Sequence, residues 1–294
     1  MSLASAILLG LVQAATEFLP VSSTAHLLVF GELLGHDLAD SRFRAFATII
    51  QSGTTLAVIA YFREEIWKLA RAGVLSIVHL SPLETPEARL GWLIVLGTIP
   101  AAVIGKLLEH RIEALGNWAI AGSLVVLGVV LLAAEAWARH ARTMEQVGTV
   151  DAVLIGIAQA VALVPGSSRS GTTLTAGMAL GFTREAAARF SFLLSVPIII
   201  GAGGYKLWKE LPVIRQNPDW MAATVAGTIV SAVFGYLVIG WLLGWLRTRS
   251  TYVFVAWRIA AGVLLAVLIW RGVLPAAQGE PHGERAPPAT ALRR

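Results

Sequence analysis

Six stretches of the chain are apolar for long enough, or nearly so, to cross about 30 Å of hydrocarbon. They lie at 43–62, 89–107, 117–138, 188–207, 219–246 and 252–271. Each predicts a transmembrane helix, because a helix satisfies its own backbone groups where there is no water. Tryptophans fall near the ends of these stretches (Trp67, Trp92, Trp118, Trp137, Trp208, Trp220, Trp245 and Trp270), as an interfacial belt requires. Two further apolar regions, 3–34 and 149–181, break in the middle at LPVSST and VPGSSRS. Pro20 and Pro165 each stop a helix. Polar backbone at membrane depth survives only where protein buries it or it lines a wet cavity. Both regions are therefore expected to be re-entrant helical hairpins.

The two broken regions resemble each other. LLGLVQA at 8–14 parallels LIGIAQA at 154–160, so that Gly10 matches Gly156 and Gln13 matches Gln159. After a slip of one residue, Pro20, Ser22 and Ser23 match Pro165, Ser167 and Ser168. A weaker echo sets AFATIIQ against RFSFLLS. A duplication into residues 1–146 and 147–275 follows, each half holding one hairpin and three spans. Three is odd, so the second half enters the membrane upside down. The expected fold is an all-α polytopic membrane protein, an inverted-topology repeat whose two hairpins meet near the midplane. The tail, 276–294, is rich in Pro, Ala, Gly and charge and reads as disordered.

Composition agrees with this class: 56% of the 294 residues are hydrophobic and 14% charged. With no cysteine, disulfides, thiolate metal sites and cysteine nucleophiles are excluded. The net charge of +5 comes from Arg and Lys near the ends of apolar segments, which is an orientation signal and not a nucleic-acid surface. If both termini share one side, the other side carries ten such residues, from Arg63 to Arg249, against seven, from Arg42 to Arg215. Counting of this kind places the termini outside. No basic segment precedes the first apolar run, so a cleavable signal peptide is not expected.

Chemistry concentrates where the two halves diverge. The first supplies Gln13 and Glu17, one helical turn apart, then Ser22, Ser23, Thr24 and His26. The second has no acid or histidine there and supplies Arg169 between Ser168 and Ser170, with Thr172 and Thr173 following. Joined at the hairpin tips, these make a site for an anionic phosphorus group. Helix starts offer free N–H donors, Gly166 and Gly171 allow close approach, and Arg169 binds phosphate oxygens bidentately. Ser23 could attack phosphorus with His26 as its acid/base, while Glu17 serves as a further acid/base or holds Mg²⁺ or Ca²⁺ beside Gln13. Structural roles compete for several of these groups. Intramembrane hydroxyls often satisfy helix carbonyls, and Gln13 and Gln159 read as braces common to both hairpins. Arg258, two turns into the last span, is expected to snorkel or to pair with an acid. Glu135, near a span end, reads as interfacial, and the small residues of GTIVSAVFG at 227–235 read as a close helix contact.

QAATEFLPVSSTAH and PGSSRSGTT resemble the two signature motifs of the bacterial undecaprenyl-diphosphate phosphatases, the bacitracin-resistance family. The resemblance covers about residues 1–272 and includes FSFLLSVP at 190–197. It implies an enzyme of the bacterial plasma membrane that removes the terminal phosphate from the C55 isoprenyl diphosphate carrier used in cell-wall synthesis. It implies an inverted repeat with two re-entrant hairpins and a site facing the periplasm or the outside. By motif, Gln13 and Glu17 fall at metal or acid/base positions, Ser23 at the hydroxyl position with His26 beside it, and Arg169 with Ser168, Ser170 and Thr173 at the diphosphate. Many members carry glutamate where this chain has Gln13, which shifts the burden to Glu17. The partners implied are polyprenyl diphosphate and membrane lipids, with a homodimer open as an assembly. The rival class is a transporter or flippase of a lipid phosphate, which needs charge neutralisation but no nucleophile. A purely structural scaffold fails on Arg169 and Glu17, whose placement at depth is costly.

Overall fold

The computed structural model describes residues 1–80, 83–113 and 115–276. Among them every regular element is a helix, apart from one isolated bridge between Arg142 and Phe182. In chain order the α-helices are α1 (Leu3–Phe18), α2 (Ser23–Leu33), α3 (Ser41–Tyr61), α4 (Arg63–Val78), α5 (Pro86–Glu113), α6 (Asn117–Trp137), α7 (Thr149–Val161), α8 (Arg169–Ala179), α9 (Arg184–Ile198), α10 (Gly204–Arg215), α11 (Pro218–Thr248) and α12 (Tyr252–Trp270). Their starts carry ordinary helix signals. Asp40 accepts a hydrogen bond from the backbone N–H of Arg42 at the head of α3, Thr183 does the same from Ala186 for α9, and Pro218 opens α11.

Six segments are long and apolar enough to cross a membrane, and each contains one of the expected spans almost entirely. The chain is thus a multi-pass membrane protein. The fourth segment is compound: α9 and α10 run together through a π-helical turn at Ile199–Gly203. Pro197, which has no N–H to donate, lies just before that turn and accounts for the irregularity. By contrast α1, α2, α7 and α8 have 16, 11, 13 and 11 residues. At about 1.5 Å per residue, none reaches across about 30 Å.

One helix has no counterpart in the hydrophobic pattern. α4 mixes Glu64, Glu65, Lys68 and Arg71 with apolar residues, so its mean hydropathy conceals its amphipathic face. It lies against α5, where a Cβ on Gly91 would meet the carbonyl of Leu69 at 3.3 Å.

The closest helix crossings are between backbones. Gly10 of α1 lies so near Gly227 of α11 that a Cβ would sit 2.6 Å from the Gly227 carbonyl oxygen. Gly156 of α7 meets Gly97 of α5 more closely still. α11 continues this packing with Ser231, fully buried beside Gly53 of α3, and with Gly235 against Phe18 and Ala57. The small residues at 227–235 do form a close helix contact, as expected. Around it Phe18, Phe62, Phe182, Phe190 and Phe192 join one apolar core, Phe18 meeting Phe192 edge-on at 5.7 Å.

Glu135, expected at the interface, lies at the end of α6 but is buried within the protein. Only 5% of it is exposed, and it accepts from the Arg184 guanidinium and, at 2.8 Å, from the Thr251 hydroxyl. These donors offset its desolvation and tie the end of α6 to the starts of α9 and α12. The tail assigned to 276–294 lies outside the described residues beyond Ala276.

Candidate active site

Both broken regions turn in the same way. Ser22 precedes α2 with φ 75° and ψ 105°, and Ser168 precedes α8 with φ 64° and ψ 110°. Two non-glycine residues in this sparsely allowed region, each opening an 11-residue helix, are a shared and costly local device. Ser22 thus pairs with Ser168 and not with Ser167. The spacing is the 146 residues that also separates Gly10 from Gly156, and the slip is confined to the prolines. Ser168 sustains its turn by accepting the Gly171 N–H through its hydroxyl.

Across the gap between the turns, one carboxylate gathers three donors. Arg169 donates to Glu17 Oε1 at 2.6 Å. The Ser23 hydroxyl donates to Glu17 Oε2 at 2.7 Å, and Gln13 Nε2 donates to the same oxygen at 3.1 Å. The starts of α2 and α8, with their unsatisfied N–H groups and positive dipole ends, thus flank one acid at the end of α1. Glu17 and Arg169 keep 16% and 24% of their side chains exposed, so the pair faces open space on one side. Among the described residues Arg169 makes no other side-chain bond than this one to Glu17, and the rest of its guanidinium fork is uncommitted. The cluster therefore offers a cation, a hydroxyl and a base within one hydrogen-bonded unit.

The other expected residues lie around this cluster in supporting places. The Ser170 hydroxyl donates to the carbonyls of Glu17 and Leu19, both at 3.1 Å, and so stitches one turn to the other. Thr173 is fully buried, its hydroxyl bonded to the Arg169 carbonyl at 2.7 Å and to Ser191 of α9, which directs it away from the open side. Gly166, at φ 86°, packs on α6 so tightly that a Cβ would meet the Ile120 carbonyl at 2.6 Å. Its glycine serves helix approach. Gln13 Oε1 is buried and has no hydrogen-bond partner among the described residues.

His26 stands apart from Ser23's hydroxyl. Its Nδ1 lies 2.7 Å from the Ser22 carbonyl, which can only accept, and its Nε2 accepts the indole N–H of Trp257 at 2.8 Å. Those partners assign the proton to Nδ1 and leave no lone pair for a neighbour. The expected pairing of His26 with the Ser23 hydroxyl is not among these contacts; that hydroxyl donates to Glu17 Oε2 instead.

One contributor was missed, and another, Arg258, takes partners other than those expected. Trp257, on α12, lies nearly coplanar with His26, 9° between ring planes and joined to it edge to edge by that hydrogen bond. Arg258, next to Trp257, is 1% exposed, and among the described residues it pairs with no acid. Its Nη1 donates to the Pro20 carbonyl at 3.0 Å and its Nη2 to the Ser167 carbonyl at 3.0 Å, one in each turn. Longer contacts at 3.4 Å reach the Ser123 and Leu124 carbonyls of α6. The one usable signal was a cation deep in an apolar run, and its carbonyl partners are invisible to residue type.

The model of the family described as bacitracin resistance protein BacA matches residues 6–264. The chain is 76% identical over 276 residues to an undecaprenyl-diphosphatase of Anaeromyxobacter sp. (strain Fw109-5), covering 94% of this chain and 91% of that one. It is 70% identical to an undecaprenyl-diphosphatase of Anaeromyxobacter dehalogenans (strain 2CP-1 / ATCC BAA-258), covering 96% of each. Similarity to the undecaprenyl-diphosphatase of Myxococcus xanthus (strain DK1622) is 47% over 95% of this chain and 93% of that one.

Proposed function

We propose, for a chain that belongs to the bacitracin resistance protein BacA family, the function of a membrane phosphatase. It hydrolyses undecaprenyl diphosphate to the monophosphate and inorganic phosphate and so recycles the lipid carrier of cell-wall synthesis. The observation that carries the chemistry is the sharing of Glu17 by Ser23 and Arg169 across the two turns. In this reading the uncommitted N–H groups of Arg169 take the oxygens of the terminal phosphate. Ser23 Oγ bonds to its phosphorus while its proton passes to Glu17 Oε2. The bond from that phosphorus to the bridging oxygen breaks, and the polyprenyl monophosphate leaves. Glu17 gives that proton to the departing monophosphate; water then attacks the phosphoserine and passes its proton to Glu17, and phosphate leaves as Ser23 Oγ takes the proton back. Ser168 and Ser170 hold the turn that carries Arg169, Ser22 and Gly166 set the backbone around it, and Thr173 braces α8 from beneath.

His26 is a positioning residue in this scheme, holding the Ser22 turn that aims Ser23. A glutamine there can both donate to Ser22 and accept from Trp257. His26→Gln is expected to keep kcat within about tenfold of wild type, against a loss of about 10²–10⁴ for a true acid/base. His26→Ala lacks both bonds and should lose more than His26→Gln.

A divalent cation, Mg²⁺ or Ca²⁺, fits this site in part. Among the described residues no three His, Cys, Asp or Glu side chains cluster to hold a metal. Glu17 and the unpartnered Gln13 Oε1 would be its protein ligands, with the substrate's oxygens completing the shell. Bound there, it would neutralise charge on the diphosphate.

The crossings of α1 with α11 and of α7 with α5, each through paired glycines, support an inverted repeat of 1–146 and 147–275. The short helices support re-entrant hairpins at 3–34 and 149–181. We place the protein in the bacterial inner membrane, with the termini and the site on the outer side.

The test is phosphate release from a C15 or C55 isoprenyl diphosphate by purified protein in detergent, with Mg²⁺ or Ca²⁺ and then with chelator. Chelation should depress the rate, and Arg169→Ala should lower kcat/KM by about 100-fold. No release from folded wild-type protein under any metal would overturn the phosphatase reading.

A further inference from the structure

A second cavity lies away from the hairpin turns, at the ends of the spans where α3 gives way to α4. An apolar slot of about 360 Å³ runs between α4, α5 and α9, walled by Gly73, Ile77, Trp92 and Pro197 among others. Beside it lies a wider vestibule of about 850 Å³, and Leu69 and Leu193 line both. Either volume falls in the range of roughly 300–1,000 Å³ typical of small-molecule sites.

The two chambers differ in chemistry and in depth. In the slot the polar atoms are already paired: the Trp92 indole N–H donates to Ser76 Oγ at 3.0 Å, and Ser76 donates to the Gly73 carbonyl at 2.7 Å. What remains is hydrocarbon. The vestibule is charged. Its Arg189 and Glu65 pair with each other, and its Glu185 pairs with Arg247. Lys68, Glu84, Glu87, Arg89 and Glu145 are exposed and form no ion pair among the described residues. On α5 and α9 the vestibule lining begins in the first turn, at Pro86 and Glu185, and the slot lining extends further along, to Val95 and Pro197. Away from the slot α4 is apolar and exposed at Trp67 and Val78, as suits a helix at the edge of a bilayer. Headgroup chemistry and chain chemistry are thus stacked in the order that a lipid presents them.

We propose that the two chambers together bind one phospholipid whose headgroup carries both a phosphate and an ammonium. An acyl chain fills the slot. The phosphate meets Lys68 and Arg89, and the ammonium meets Glu84 and Glu87. Unpaired carboxylates outnumber unpaired cations here, with Glu145 the third, so an anionic lipid is disfavoured. The cavity is separate in its residues from Glu17, Ser23 and Arg169 and is not a second place for the diphosphate.

Native mass spectrometry of the full chain in detergent, titrated with dioleoylphosphatidylethanolamine and with dioleoylphosphatidylglycerol, tests this. One phosphatidylethanolamine should bind about tenfold more tightly than phosphatidylglycerol. Gly73→Phe should remove that binding, since a Cβ at Gly73 meets nothing within 4 Å and the ring can fill the slot. The double variant Glu84→Lys/Glu87→Lys alters exposed residues only and should reverse the preference, leaving phosphate release in detergent unchanged. Equal or stronger binding of phosphatidylglycerol by wild type would overturn the proposal. So would phosphatidylethanolamine binding that neither variant alters.

Discussion

Replacing Ser23 with alanine should cut phosphate release from an isoprenyl diphosphate by at least about 10⁴-fold, the scale seen when a covalent nucleophile is deleted from a set of groups acting together. The expectation rests on a contact already made. The Ser23 hydroxyl points its proton at Glu17 Oε2 across 2.7 Å, with Arg169 on the other oxygen of the same acid. Alanine removes the attacking atom and leaves the arginine fork and the open side in place. Substrate affinity should therefore change little while kcat collapses. Ser170→Ala is the informative comparison, because that hydroxyl is spent on two carbonyls. Its cost should be that of lost stitching, about 1–3 kcal/mol of stability. A single-turnover assay reads the chemical step directly. A Ser23→Ala enzyme within tenfold of wild type would transfer the nucleophile's role to water or to another residue.

The second large effect is expected far along the chain. Arg258→Leu should destabilise the protein by about 5 kcal/mol, because the carbonyls of both turns then lose their charged donor while staying buried. The change should appear as a fall of roughly 10 °C or more in the detergent unfolding midpoint. It should also bring loss of phosphate release even below that midpoint, since the turns carry Ser23 and Arg169. Arg258→Lys retains the charge but not the fork that spans two carbonyls, and it should recover only part of either property. Wild-type activity in a folded Arg258→Leu protein would show that the turns hold each other without it.

Much of this was legible in residue order, and the exceptions share a cause. Hydrophobic run length located six spans because a bilayer imposes one length on every crossing. Proline marked both breaks for an equally local reason. α4 escaped because its apolar residues alternate with charge over each turn. Residue types at the site were also legible: Glu17, Ser23 and Arg169 do meet. Their directions were not. Thr173 reads as a free hydroxyl in a motif, yet it faces Ser191. His26 reads as a proton carrier beside Ser23, yet its outer nitrogen is taken by an indole 231 positions away. Arg258 reaches carbonyls 238 and 91 positions away, and a carbonyl belongs to every residue alike. Contacts made to backbone across such separations leave no trace in residue type.

The paired-glycine crossings also set an order of events on the ribosome. α7 docks on α5, which is already made when α7 emerges. α1 docks on α11, which begins at Pro218, about 200 residues after α1 ends at Phe18. At roughly 5–20 residues per second that is a wait of about 10–40 s. Through that interval α1, too short to cross the bilayer and bearing Glu17, lacks the helix on which it packs. Nascent chains arrested before residue 218 should therefore expose α1 and α2 to protease or crosslinker and shield α7, which already has α5 to pack against.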